Sequence, residues 1–337
     1  MDLVVVDADV LGRRRTGEET YVANLLRELP AAAPELRFAA VTRHPELVPP
    51  GVEPVALPAR FQETRMAWSL PRLLRRLSPD LAHFQHALPL RFGGPSVVTL
   101  HDLHFERDAS RMGLLDRITF KAVVPRAARR ADAVIAVSER TKDDAVELYG
   151  LPPAKVAVTP HGVDPAFTPG ATHAGSYLLF VGAVQARKNP LAAADAARAL
   201  GMRLVVVGPE KEPALAGELR ARGADVRGWV EQAELVELFR GAAALVWPSR
   251  YEGFGLPVLE AMACGTPVVL SQDPALREVA GDAAVYAADG EYAAAVERAL
   301  RDRERLVVAG LARAARFTWS ETARLTADVY RSVLAAR

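Results

Sequence analysis

Two carboxylates, Glu252 and Glu260, stand with seven residues between them in SRYEGFGLPVLEAMACGTPVV, residues 249–269, around a glycine-rich bend that runs into a helix. The apolar run 243–247 ends just before them. This places the bend beyond the carboxyl end of a parallel strand, where open α/β sheets bind ligands. Pro257 opens the next helix and aims the N–H groups of roughly residues 254–258 at an anion or polar ligand. Gly253 and Gly255 let that ligand approach closely. A carboxylate accepts two hydrogen bonds from a vicinal diol, so Glu260, in the first turn or so, suits a ribose and Glu252 another sugar. Taken alone, the pair could equally complement the helix dipole and sit in solvent.

A second cluster changes that balance. VGAVQARKNP, residues 181–190, follows another apolar run and delivers Arg187 and Lys188 just before a helix start at Asn189 and Pro190. Two cations beside helix N–H groups suit a diphosphate, although an isolated Arg-Lys pair is more often solvated surface.

The elements that must position these groups are legible as alternating β-branched runs and helix-period stretches. The runs 3–8, 38–42, 81–84, 96–100 and 133–137 form one series, and 177–183, 203–208, 243–247 and 267–270 a second. Such alternation predicts two doubly wound parallel sheets. Residues 159–176 are dense in Pro, Gly and Thr and read as a linker. The expected domains are therefore 1–170 and 171–316, followed by a C-terminal helix over 317–337. Its apolar stripe of Trp319, Ala323, Leu325 or Thr326, Val329, Tyr330 and Val333 can pack across both domains. Thr16 and Glu19 form a capping-box pattern, and Asn189 an N-cap before Pro190.

The 337 residues suit two domains of about 150 residues each. Half are hydrophobic and a quarter charged, which excludes disorder. A net charge of +1 gives no global field for nucleic acid, which is not an expected partner. The single cysteine, Cys264, rules out an intrachain disulfide and fits a reducing, cytoplasmic setting. No apolar run approaches the roughly 20 residues that span a bilayer, and the acidic N-terminus lacks the basic flank of a signal peptide.

Taken together, VGAVQARKNP, the segment GWVEQAELVELFRGAAALVWPSRYEGFGLPVLEAMACGTPVV and the HGVD before them resemble retaining glycosyltransferases of family four, which have the GT-B fold: two Rossmann-like domains facing each other across a cleft. The likeness is strong over 133–337 and scattered before that. It implies that Arg187 and Lys188 hold the donor diphosphate, that Glu260 binds the nucleotide ribose and that Glu252 contacts the donor sugar. It further implies backbone contacts from Phe254, Gly255 and Leu256, with Trp229 and Val230 bordering the base. VVTLHDLHFE, residues 97–106, is similar to the segment whose His reaches the donor sugar, here His101, with Asp102 beside it on the acceptor side. His83, His86 and His104 lack such a motif partner and are read as structural. Two departures stand out. Gly17, Glu18, Glu19, Thr20 and Tyr21 occupy the acceptor-side loop where many members read Gly-Ile-Gly-Arg-Tyr, and His161 stands where relatives carry Asn, read here as a hinge change.

The expected activity is transfer of a hexose, mannose or glucose in type, from a nucleotide diphosphate sugar to a hydroxyl of a carbohydrate or lipid-linked acceptor. GDP-mannose is the first donor expected. Charge gathering on the leaving diphosphate would be met by Arg187, Lys188 and helix N–H groups. Reaction at one face, with the departing phosphate taking the acceptor's proton, would retain configuration. No Asp-x-Asp motif is expected in the chain to hold a divalent metal on the diphosphate; the two cations can supply that charge, and no metal or other cofactor is expected. The lobes are expected to close on the donor. A sugar-nucleotide epimerase or phosphorylase of the same fold, or a non-catalytic sugar-nucleotide sensor, are the alternatives; a nicotinamide dehydrogenase would need a G-x-G-x-x-G that DVLGRRRTGEE does not provide. Basic stretches at 60–77 and 111–130 suggest peripheral contact with the cytoplasmic face of a membrane. In the first, Met66, Trp68, Leu70, Leu73, Leu74 and Leu77 would form an apolar face beside Arg65, Arg72, Arg75 and Arg76, with Pro71 interrupting the helix. An ordinary core-facing helix is the competing reading.

Overall fold

The computed structural model describes residues 1–13, 17–59, 61–107, 114–170 and 175–337. They form two compact units, one of Met1–Gly162 with Trp319–Arg337, the other of Val163–Thr318. The first holds a seven-stranded sheet of β1 Leu3–Asp7, β2 Arg37–Thr42, β3 Glu53–Ala56, β4 Leu81–Gln85, β5 Ser96–Leu100, β6 Ala133–Ala136 and β7 Val156–Val158, in the order β3-β2-β1-β4-β5-β6-β7. The second holds β8 Tyr177–Val181, β9 Arg203–Val207, β10 Asp225–Gly228, β11 Ala244–Trp247, β12 Val268–Leu270 and β13 Val285–Tyr286, in the order β10-β9-β8-β11-β12-β13. Every recorded pairing is parallel. In each sheet the order reverses direction once, between β1 and β4 and between β8 and β11, the switch point at which sheets of this kind bind ligands.

By packing, the chain divides between Gly162 and Val163, within the stretch 159–176 read as a linker. Packing explains this: Val163 N donates to Phe317 O, the Phe167 ring lies 5.9 Å from that of Phe239, and Arg240 Nε donates to Thr168 O at 2.8 Å. The helix Trp319–Ala335 belongs to the first unit, where it runs beside the helix Gly17–Ala32. Its buried stripe includes Thr326 in place of the half-buried Leu325.

Three other local expectations have different outcomes. Asn189 is the N-cap of the helix Pro190–Ala199 and Pro190 its first residue, as expected, but the Asn189 side chain makes no cap bond; the residue takes a left-handed backbone, φ 52°, which Asn tolerates, and its amide donates to Asp289. Thr16 lies outside the described residues, while Glu19 Oε1 accepts from Gly12 N at 2.8 Å. Pro71 lies inside a continuous helical run, Gln62–Thr64, the π turn Arg65–Ser69 and Leu70–Leu77; the run loosens into the π turn just before the proline rather than ending there.

The apolar face expected to meet a membrane is the core face. Leu70, Leu73 and Leu74 are buried in the first unit's core, with Met66 and Leu77 packed against it. Arg60 and residues 111–113 of the two basic stretches lie outside the described residues. Trp68 remains 47% exposed, with the Arg72 and Arg91 guanidinium groups 5.1 and 5.0 Å from its ring. In the helix Leu114–Arg130, Arg129 and Arg130 donate to the carbonyls of Tyr149 and Phe92. No helix among the described residues is long and apolar enough to cross a membrane.

Arg65 is fully buried. Its guanidinium bonds both oxygens of Asp7, and its Nε lies 3.4 Å from Asp9 Oδ1. Arg43 adds a two-point bond to Asp9 at 2.8 and 2.7 Å, and Arg13 a further one at 2.8 Å. Asp7-Ala8-Asp9 is thus an Asp-x-Asp triplet, which the expectation of no such motif did not count, and guanidinium groups engage both its carboxylates. Burial opposes ionisation of Asp9, but the Arg43 hydrogen bond and the Arg65 charge prevail and hold its pKa below the usual range. Arg65→Ala would leave two buried carboxylates short of their counter-ion, at an expected cost of about 3–5 kcal/mol. Urea unfolding monitored by circular dichroism measures it, and a loss below about 1 kcal/mol would show that water replaces the guanidinium.

Candidate functional site

In the second unit, the loops leaving β8 and β11 meet at the switch point. The first carries Arg187 and Lys188 on a single 3-10 turn, Ala186–Lys188; the second carries Tyr251 and Glu252. Lys188 Nζ lies 2.5 and 2.6 Å from the two oxygens of Glu252. Trp247, the last residue of β11, donates its Nε1–H to Glu252 Oε1 at 3.0 Å, and its ring centroid lies 5.0 Å from Lys188 Nζ. Arg187 Nη1 donates to Tyr251 O, and Arg250 N to Arg187 O at 3.0 Å. Gly182 makes the approach feasible, because a Cβ there would lie 2.4 Å from Trp247 Cη2.

Gly255, at φ 112°, caps the helix Leu256–Ala263, with Pro257 at its second position. A Cβ on Gly255 would lie 2.8 Å from Leu276 Cδ2, so glycine is required both for the backbone and for space. The Phe254 side chain is buried and packs edge-on to Phe317 at 6.0 Å, which leaves only its backbone for a ligand. Leu256 is half-buried at the helix start, as is Val230, while Trp229 beside it is 41% exposed. Glu260 is the fifth residue of the helix rather than part of its first turn, too far along for a strong dipole role. Its carboxylate has no hydrogen-bond or ion-pair partner among the described residues. Burial, reinforced by the negative charge of Asp164, pushes its pKa up to about 8.

In the first unit, His101 follows β5 and donates Nε2–H to Gln85 Oε1 at 2.9 Å. Burial, with smaller contributions from neighbouring charges, lowers its pKa to about 4, so the ring is neutral and Nδ1 is an acceptor. That Nδ1 is buried without a hydrogen-bond partner. Tyr21, expected on the acceptor side, is fully buried. Its hydroxyl lies 3.2 Å from Thr99 Oγ1 and its ring 4.9 Å from His101, so it packs behind the histidine. Gly17 is exposed at its helix start, and Asp102 bonds His104 Nδ1 at 2.7 Å. His83, fully buried, bridges Tyr330 OH and Thr99 Oγ1 at 2.6 and 2.7 Å, the structural role expected of it. His161, read as a hinge change, packs among Tyr21, His101 and Trp319, with centroids 5.1, 5.8 and 5.6 Å away. Sequence reasoning missed Trp247 and Gln85, which orient Glu252 and His101; their only signal was a polar-tipped side chain at the last position of a strand that ends at the switch point.

Residues 15–167 match the family described as Glycosyltransferase Family 4, and residues 169–313 that described as Glycosyl transferases group 1. The D-inositol 3-phosphate glycosyltransferase 1 of Catenulispora acidiphila is 32% identical over an alignment covering 90% of this chain and 85% of that protein. The chain belongs to glycosyltransferase family 4. Other relatives of this family 4 protein include a D-inositol 3-phosphate glycosyltransferase from Acidothermus cellulolyticus, 33% identical over 73% of this chain but only 64% of its own length. The O-antigen chain mannosyltransferase B of Escherichia coli is 29% identical over 60% of this chain and 61% of that protein. Among solved structures, sucrose-phosphate synthase from Thermosynechococcus elongatus superposes with a TM-score of 0.79 at 20% identity, covering 100% of both chains. An Anabaena protein in complex with UDP-glucose superposes with a TM-score of 0.73 at 16% identity, covering 98% of this chain and 99% of that one. These likenesses, with the two parallel sheets, establish the GT-B fold.

Glu260 has a measurable signature in this family 4 chain. Its folded pKa of about 8 lies above the ordinary 4.5, so it carries no penalty below pH 4.5, where both states are protonated. Between 4.5 and 8 the unfolded chain ionises and the folded one does not, and stability falls; above 8 the penalty is constant. Glu260→Gln should therefore raise the unliganded melting temperature by an amount that grows over this window and then levels off. Equal shifts at the two ends of the window would contradict it.

Proposed function

We propose that the chain is a retaining hexosyltransferase that moves a mannose- or glucose-type sugar from a nucleoside diphosphate to a hydroxyl of a carbohydrate or lipid-linked acceptor. The observation that carries this reading is the Lys188–Glu252 pair at the switch point of the second sheet, with the unpartnered Glu260 on the following helix. Lys188 and Glu252 satisfy each other in the unliganded chain. A diphosphate would compete for Lys188 and join it to Arg187, while sugar hydroxyls would bond the carboxylate released, so each charge exchanges one partner for another rather than being left bare. Glu260 would take the ribose diol, and the backbone of Phe254, Gly255 and Leu256 the diphosphate or sugar, with the base near Trp229 and Val230. The relatives, two inositol phosphate glycosyltransferases and a mannosyltransferase, and the UDP-glucose in the Anabaena structure support a nucleotide-sugar donor. GDP-mannose is the first donor to test and UDP-glucose the second.

In the transfer, the bond from the anomeric carbon to the diphosphate breaks, and the acceptor oxygen bonds that carbon on the same face. The acceptor's proton passes to the departing phosphate oxygen. Arg187, Lys188 and the N–H groups at the start of the helix Leu256–Ala263 stabilise the charge that gathers there, and no metal is invoked. His101, neutral with an open Nδ1, accepts a hydrogen bond from a donor-sugar hydroxyl.

Donor identity is read by thermal shift across a nucleotide-sugar panel, since a ligand that binds only the folded state raises the melting temperature. With the donor known, Lys188→Ala and Glu252→Ala should each lower turnover at least about a hundredfold with the fold intact. NMR of the product should show the donor's anomeric configuration. Near-normal turnover in both variants, or an inverted product, would overturn the assignment.

A further inference from the structure

The transfer chemistry gives His161 no part, yet its ring lies closer to parallel with that of His101 than the other rings recorded beside it. The two centroids are 5.8 Å apart and the planes inclined by 30°. His161 is in turn 5.6 Å from the Trp319 indole, at 36°. Trp319, His161 and His101 thus form a series of tilted, overlapping rings within the first unit. Tyr21 runs along it, edge-on to His101 at 4.9 Å and 78°, and 5.1 and 6.4 Å from His161 and Trp319. His86, whose Nε2–H donates to Glu18 Oε1 at 3.1 Å, meets His101 at 5.3 Å and 56°. Tyr21, His161 and Trp319 are all buried.

Three observations separate this series from ordinary core filling. The His101 ring is bonded through Nε2 to Gln85 Oε1, and its Nδ1 has no hydrogen-bond partner. One bond fixes a point on the ring and leaves its plane free to swing about that point, so the plane must be held by the surfaces packed against it. A near-parallel ring and an edge-on ring are such surfaces. The series is also anchored at its far end. Thr322 Oγ1, on the helix that Trp319 begins, donates to Pro160 O at 2.6 Å, and Thr159 N donates to Ala136 O at 2.9 Å. The backbone leading into His161 is therefore tied both to that helix and to β6. Finally, a buried histidine is a costly way to fill space. Burial, with the charge of His101 as a smaller cause, keeps its pKa well below 6.5, so the ring is neutral. An apolar side chain would occupy the same volume without desolvating two ring nitrogens.

We propose that His161 is a positioning residue: backed by Trp319, it holds the plane of the His101 ring and, through it, the orientation in which His101 meets the donor sugar. The departure from the family pattern at position 161 thereby acquires a use within the first unit. The second half of the proposal rests on the reading of His101 as a donor-sugar contact; the holding of the ring does not. A hydrogen bond to a sugar hydroxyl is directional and weakens steeply off its line. A His101 ring free to tilt would lose that bond, while the nucleotide, which is read by other residues, would bind as before. The loss therefore falls on turnover of the sugar nucleotide and leaves affinity for the bare nucleoside diphosphate unchanged.

The test has two arms. In the first, histidine-selective 15N NMR of the unliganded full chain reads the two ring nitrogens of His101, assigned by their loss in His101→Ala. Wild type should show one tautomer, with the proton on Nε2. His161→Ala and His161→Asn should move both resonances toward the average of the two tautomers, whereas His161→Phe, which keeps a ring, should retain the wild-type signature. In the second arm, the donor is whichever of GDP-mannose and UDP-glucose raises the wild-type melting temperature. His161→Ala and His161→Asn should lower kcat/KM for its consumption by about tenfold or more, on a scale where a 1 Å misplacement costs about a hundredfold. Calorimetric titration with GDP or UDP should give the wild-type affinity in both. In a His101→Ala background the same substitutions should cost less than about twofold, since the group they act through is gone. Wild-type His101 resonances in the two variants without a ring, a His161→Phe that behaves like His161→Ala, wild-type turnover, or an equal loss with and without His101 would each overturn the inference. Circular dichroism melts check folding, and should His161→Ala unfold, His161→Asn decides. If neither nucleotide sugar shifts the wild-type melt, the transferase reading fails, and the NMR arm alone decides whether His161 holds the ring.

Discussion

Lys188 and Glu252 lie 64 residues apart, and their contact exists because two loops leave adjacent strands of one sheet at the point where its order reverses. β8 and β11 pair with Leu178 opposite Ala244 and Leu179 opposite Leu245. A slip of one residue would turn Trp247 to the other face and remove the indole N–H that holds Glu252. Gly182 must lack a side chain for the same indole to lie where it does. Register, strand end, missing side chain and ion pair thus form one dependency, and the chemistry proposed for the second unit is only as well placed as its weakest member.

The first unit repeats the topology with different chemistry. Within and just after β4 and β5 it places three histidines, whereas the second unit's switch point carries a lysine and a glutamate. Burial and partners drive them apart: His83 is held neutral between Thr99 and Tyr330, His101 is neutral with one nitrogen open, and His86 is drawn toward the imidazolium by Glu18. Three copies of one side chain thereby behave as a strut, an acceptor and a donor.

Both central strand sets were legible in the sequence because buried parallel strands read as continuous apolar runs. The four strands that were not read, β3, β7, β10 and β13, are the edges of the two sheets. Each has water on one side, and their burial is partial at most positions, so no apolar run marks them. The donor-side residues were visible because loop chemistry follows strand ends. The first unit was less transparent: Arg65 read as part of a basic surface because sequence does not disclose that Asp7 and Asp9 await it across 58 and 56 residues. Glu18 read as a departure from a pattern, since its partner His86 comes from another strand, and a pair defined by folding leaves no local spacing.

Trp247 has a consequence beyond positioning. The chain has four tryptophans; Trp68 and Trp229 are substantially exposed, whereas Trp247 is sealed against Phe180 with a lysine ammonium 5.0 Å from its ring and a carboxylate on its N–H. An indole's emission colour and yield respond to both kinds of neighbour. Because a guest that draws Lys188 and Glu252 apart changes both at once, the second unit carries its own optical gauge of occupancy, one that needs no label.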